Sequence, residues 1–194
     1  MSEQPMGPGR LETFSDGVIA IIITIMVLEL KVPHTADPAA LIAVWPVFLS
    51  YLLSFLVVAI YWVNHHRMLH ECRHVDGAVL WSTIFWLFCI SLVPFSTSYM
   101  DDNHFAAFPT AVYAATLLLA SFSYVPMRRA IFAHHKGEPG HENLRARATR
   151  KNWIAMALYA VSIPLAYVHP AVTLIFAFLV AAIYFLPYAW LDEA

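Results

Sequence analysis

Charged side chains are scarce in this sequence. Asp, Glu, Lys and Arg together make up 12% of its 194 residues, whereas 60% are hydrophobic. Soluble globular domains carry about a quarter charged residues and about 45–50% apolar ones. Too little polar surface is present to cover a water-soluble body, and the mean hydropathy of +0.64 agrees. Composition therefore moves the chain into the membrane class, although its length would suit soluble domains. Cysteine is nearly absent too. Cys72 and Cys89 are too few for a disulfide scaffold, and each sits in or beside an apolar run, so both are expected as free thiols. The opening residues, MSEQPMGPGR, lack the apolar core of a signal peptide. No G-x-S-x-G, H-E-x-x-H or P-loop pattern organises the many Ser and His residues, so an enzyme is not expected. The TVGYG carbonyl filter and an Arg-every-third voltage sensor are missing as well. No low-complexity tract or internal repeat stands out.

What is present is a series of long apolar runs with polar punctuation. They predict an all-α integral membrane protein with a single transmembrane domain over 1–194, its helices at about 11–32, 40–65, 77–100, 104–127, 152–168 and 170–191. The last two come from one stretch: 40 residues from position 152 to 191 contain no Asp, Glu, Lys or Arg. A single helix of that length would far exceed a hydrocarbon core of about 30 Å at about 1.5 Å per residue. Tyr167-Val168-His169-Pro170 supplies the break. A hydrophilic loop at about 130–149, containing Gly137, Pro139 and Gly140, separates the fourth and fifth segments, with a helical end expected near Glu142 to Lys151.

With six spans, alternate loops fall on opposite sides. Ten of the 11 Lys and Arg residues then share one side (Arg10, Arg67, Arg73, Arg128, Arg129, Lys136, Arg145, Arg147, Arg150, Lys151), and Lys31 stands alone on the other with the acidic pair Asp101-Asp102. The positive-inside rule puts the ten, and both chain termini, in the cytoplasm.

The first helix differs from the rest. Only 12 uncharged residues, GVIAIIITIMVL, separate Asp16 from Glu29. They rise about 18 Å, so both carboxylates reach into the membrane, where a charge facing lipid is costly. The first helix is therefore expected to be the innermost, screened by its neighbours. Asp16 lies at about the depth of Trp62, His65 and His66 at the end of the second helix. It reads either as an architectural clamp held by an Arg or His partner, or as a titrating group. At about 100° per residue, Ile21, Ile25 and Leu28 form one stripe with Thr24 at its edge, about 140° from Asp16. Spacing leaves two roles open for the stripe: helix packing, or the lining of a narrow apolar pore. His66, His70 and His74 follow i, i+4, i+8 spacing. The run also carries Arg67 and Arg73 and makes no closed ligand set of known spacing. It reads as a cytoplasmic helix extension, with no metal assigned. His134, His135 and His141 read as solvated loop residues.

Arg10-Leu11-Glu12-Thr13-Phe14-Ser15-Asp16 is an R-x-x-x-F-S-D motif opening the first helix, and GVIAIIITIMVLELKVP follows it. This region resembles the endosomal/lysosomal transmembrane potassium channel family, in its prokaryotic branch, where one six-helix repeat stands in place of the two in animal proteins. The close match runs over about 10–33, and Trp62, His65 and His66 agree more loosely. The resemblance implies a homotetramer in the cell membrane whose four first helices line a path for potassium ions. Ile21, Ile25 and Leu28 would form the constriction, with Thr24 as polar neighbour. Arg10, Phe14, Ser15 and Asp16 would hold the helices together, with Trp62, His65 and His66 as partners. The implied partners are K⁺, lipid and other copies of the chain; no cofactor beyond the permeant ion and no nucleic acid is implied. A proton-coupled secondary transporter using Asp16 and a nearby histidine is the rival reading.

Overall fold

A computed structural model of the chain describes residues 7–133 and 141–185, with backbone alone for 141–148. Lys136, Gly137, Pro139, Gly140, His134 and His135 lie outside the described residues, and of Arg145, Arg147 and His141 only the backbone is described. The elements are α1 (Pro8–Leu28), α2 (Pro38–Ala43), α3 (Trp45–His70), α4 (Gly77–Ser91), α5 (Val93–Asp102), α6 (Ala107–Ala133), α7 (His141–Leu165) and α8 (Ala171–Phe185). Every described element is helical, as expected for chain that must satisfy its backbone groups without water.

Proline and capping chemistry set the boundaries. Pro8 opens α1, where its missing N–H costs nothing. Asp37 caps α2 by accepting from Ala39 N at 2.9 Å, with Pro38 at the first helical position. Asp76 caps α4 through Val79 N at 2.8 Å. Two apolar stretches are divided by short breaks. Val44 separates α2 from α3 just before Pro46, and Leu92 separates α4 from α5 just before Pro94. A proline ring removes a donor and crowds the carbonyl four residues earlier, which accounts for both interruptions. α4 and α5 still run on as one membrane-length span, Gly77–Asp102. α7 stops at Leu165 and α8 starts at Ala171, so the chain turns through Tyr167 to Pro170.

Among the described residues, four helices are long and apolar enough to cross a membrane: Pro8–Leu28, Trp45–His70, Gly77–Asp102 and Ala107–Ala133; α8 is a shorter apolar helix. Within one chain the central helix is α6, not α1. It packs against α4, α5 and α7 and touches α3 and α8. Ala111, Ala114, Ala120, Ser121 and Ser123 on α6 are buried, and small side chains let helix backbones approach closely where no water drives association. Tyr61, Trp86 and Tyr124 form an edge-on aromatic cluster beside it. α1 packs on α3, α4 and α5 from one side only. The expectation of an innermost first helix is therefore not met inside a single chain. The physical reason is its periodicity: Leu11, Ser15, Ile19, Ile22 and Met26 give α1 one buried strip, and the opposite face carries equally apolar residues that no other described residue covers.

Candidate functional site

The buried strip of α1 recurs at i, i+4, i+8, i+11 and i+15, the spacing of one helical face. The opposite face carries the stripe. Ile21 is 59% exposed, Ile25 42% and Leu28 80%, and Thr24 is exposed beside them, its hydroxyl donating to Ile21 O at 3.0 Å. Ile22, one position on, is 4% exposed. Of the two roles that spacing left open, packing within the chain therefore belongs to the strip through Ile22, not to the stripe. Between α1 and α5 an open groove of about 570 Å³ borders the stripe, lined by Ile21, Ile25, Phe95, Ser98 and Tyr99 among others.

At the N-terminal end of α1, two contacts join it to α3. Trp62 Nε1 donates to Asp16 Oδ1 at 2.8 Å, and His66 Nδ1 lies 2.8 Å from Glu12 Oε1. Partners are four residues apart on each helix and pair in opposite order, 16 with 62 and 12 with 66. That is the ladder expected of antiparallel helices meeting along i, i+4 faces. Trp62 also stacks on the His66 ring at 5.8 Å. The other end of α1 is tied to α5. Ser98 donates to Glu29 Oε2 at 3.0 Å, and Lys31 pairs with Asp102 at 2.5 Å. Asp101 takes Ser50 of α3, whose Oγ lies 2.6 and 2.8 Å from its two oxygens. The carboxylates flanking the short apolar stretch are thus hydrogen-bonded to protein.

The motif residues divide between roles in a way their sequence order does not reveal. Ser15 is fully buried and donates to Leu11 O at 2.8 Å. Asp16 is an anchor, but its partner is Trp62 rather than a histidine or Arg10. Among the described residues Arg10 and Asp16 form no ion pair, and Arg10 is exposed. Phe14 is exposed as well. At i, i+7 and i+14 with Ile21 and Leu28 it lies on the stripe's face rather than among the anchors. His65 is completely buried against Trp86, ring centroids 4.7 Å apart, and does not reach Asp16. The residue missed by spacing is Glu12, an unassigned position of the motif. The signal that could have flagged it is a carboxylate one turn before Asp16, matched by a histidine one turn after Trp62. His74 leaves the expected helix extension: α3 ends at His70, Glu71 closes it, and Cys72 Sγ donates to His74 O at 3.2 Å. Cys72 and Cys89 are both free thiols.

A model of the family described as endosomal/lysosomal potassium channel TMEM175 matches residues 10–94. Those residues carry α1, the anchors on α3, and α4. A protein named potassium channel from Chryseobacterium sp. (strain P1-3) is 39% identical over 182 residues, covering 94% of each chain. This chain belongs to the TMEM175 family. It sits in the prokaryotic branch: a potassium channel of Streptomyces collinus is 33% identical over 86% of this chain and 85% of its own. The human TMEM175 protein, named an endosomal/lysosomal proton channel, matches only 39% of this chain and 18% of its own length, at 34% identity. The crystal structure of a lysosomal potassium-selective TMEM175 homologue from Chamaesiphon minutus superposes with a TM-score of 0.78 at 27% identity, covering 96% of this chain and 98% of that one. The TMEM175 relatives are channels, and this TMEM175 chain, with four apolar membrane-length helices among its described residues, is a multi-pass membrane protein.

Proposed function

We propose that this chain is a potassium-permeable, potassium-preferring cation channel in the cell membrane. It assembles as a homotetramer in which four copies of α1 surround the ion path. The observation that carries this reading is the stripe: a membrane-length helix, in a family of channels, leaves Ile21, Thr24, Ile25 and Leu28 uncovered by the described residues of its own chain while Ile22 packs inward. Four stripes facing a common axis would cover one another and make stacked apolar rings, and closed cyclic symmetry is the ordinary way to bury such a surface. An ion crossing those rings must shed or distort its hydration shell. K⁺ gives up water more readily than Na⁺, so an apolar constriction can prefer K⁺ without a carbonyl filter, and it can close by dewetting. Glu29, Asp101 and Asp102 stand near the far end of α1 against Lys31, a balance of charge that concentrates cations there.

Six spans with both ends cytoplasmic complete the arrangement, supported by the ten-to-one division of the 11 Lys and Arg residues. The rival transporter reading needs Asp16 beside a histidine, whereas the hydrogen bond Asp16 makes here comes from the Trp62 indole. Reconstitution of the purified protein into a planar bilayer tests the proposal. Unitary currents that reverse near the K⁺ equilibrium potential are expected under a KCl gradient and, with K⁺ opposite Na⁺, the reversal should favour K⁺. Slow, saturable flux without unitary steps would overturn it.

A further inference from the structure

We propose that His66 and His70 on α3 bind one divalent transition cation of the zinc class between their Nε2 atoms, with Glu12 on α1 holding the far nitrogen of His66. One donor atom from each residue lies within 4.8 Å of those of the other two. His66 and His70 are one turn apart and project from the same face of α3, with their Nε2 atoms 3.1 Å apart. Two nitrogens bound at about 2.0–2.1 Å to one tetrahedral metal are themselves about 3.3 Å apart, so the pair needs little movement to share an ion.

The hydrogen-bond geometry suits an ion at this place. Glu12 Oε1 lies 2.8 Å from His66 Nδ1. With Glu12 ionised and His66 neutral, Nδ1 carries the proton and Nε2 of His66 offers its lone pair toward His70. Without a cation, one of the two Nε2 atoms must carry the proton between them. With one, both Nε2 lone pairs bind the same charge. A carboxylate on the far nitrogen of a ligating imidazole fixes its tautomer and raises its basicity, which makes Glu12 part of the site through His66. Trp62, stacked on His66 and bonded to Asp16, holds the ring plane. His70 is exposed, so water can complete the coordination. Imidazole ligands suit zinc, copper or nickel; magnesium and calcium seek oxygen alone. Sequence spacing did not assign this site because the carboxylate comes from a different helix.

The full-length protein, stripped with a chelator and returned to metal-free detergent buffer, would be titrated with ZnCl₂ by calorimetry, and its Tm recorded with and without zinc. Wild type should bind one more zinc ion per chain than His70→Ala, and zinc should raise the Tm of wild type but not of the variant. Glu12→Gln should weaken that site about tenfold to a hundredfold. His74→Ala should keep it, and MgCl₂ should not compete. Equal zinc stoichiometry and affinity in wild type and His70→Ala would overturn the proposal, as would displacement by magnesium. If His70→Ala does not fold, Glu12→Gln decides, and an unchanged affinity there sinks the site.

Discussion

At the scale of single residues, Ile21 and Ile22 have nearly the same chemistry and opposite surroundings. Ile21 is 59% exposed in the chain and Ile22 4%. Ile21→Asn should therefore leave the fold intact, since a polar side chain at an uncovered position displaces no packed neighbour. In the tetrameric reading it places four amides at the constriction, able to coordinate ions or hold water. Reversal potentials with K⁺ opposite Na⁺ should shift toward lower selectivity, or conductance should rise. Ile22→Asn buries an amide without a partner and should cost about 2 kcal/mol or more, read as a lower Tm and yield. A shift in reversal potential for Ile22→Asn and none for Ile21→Asn would place the wrong face in the pore. Cys72, in the connection between α3 and α4, offers a pH test. Burial pushes its thiol above the usual range, with the Asp76 carboxylate adding to the effect. Only the thiolate reacts, so alkylation of Cys72 at neutral pH should be slower than for an unfolded control and should accelerate as pH rises past the ordinary thiol range. Mass spectrometry of the alkylated peptide measures it.

At the scale of elements, the paired contacts between α1 and α3 decide how firmly the stripe-bearing helix is held. Trp62→Phe keeps the ring that stacks on His66 and removes only the donor to Asp16. A hydrogen bond to a charged group at a partly exposed position is worth about 1 kcal/mol, and the loss should appear as a lower Tm. A double-mutant cycle with Asp16→Asn should give a coupling of similar size, whereas the cycle of Asp16→Asn with Arg10→Ala should give none, because those two side chains do not meet. Coupling between residues 10 and 16 would restore the ion-pair clamp in place of the indole contact.

At the scale of the whole molecule, the proposed tetramer would cover the apolar face that the described residues of one chain leave open. Native mass spectrometry from detergent should give a mass of four chains, and Ile22→Asn should lower yield without changing that number. Orientation is tested by placing a cysteine at position 137 in a chain lacking Cys72 and Cys89. An impermeant thiol reagent should label it from the cytoplasmic side of oriented membranes and not from outside. External labelling would invert the topology.

The sequence by itself determined the solvent and the secondary structure. Runs such as GVIAIIITIMVL can satisfy their backbone groups only as helices in lipid, and the prolines and Asp caps mark where helices begin or are interrupted. It also determined which α1 residues share a face, because 100° per residue is a property of the backbone: Ile21, Ile25 and Leu28 fall together in any structure that keeps α1 helical. Which face turns inward was not legible, since both are aliphatic and burial depends on neighbours remote in sequence. The same holds for the anchors. Asp16 was recognisable as a charge needing a partner, but Trp62, His65 and His66 are nearly equivalent in sequence position. Only the antiparallel packing of α3 on α1 set the register that gives Asp16 the indole, Glu12 the imidazole of His66, and His65 a place against Trp86. A helix fixes angles between its own residues, whereas tertiary packing fixes the phase between two helices, and it is that phase that decides which side chains meet.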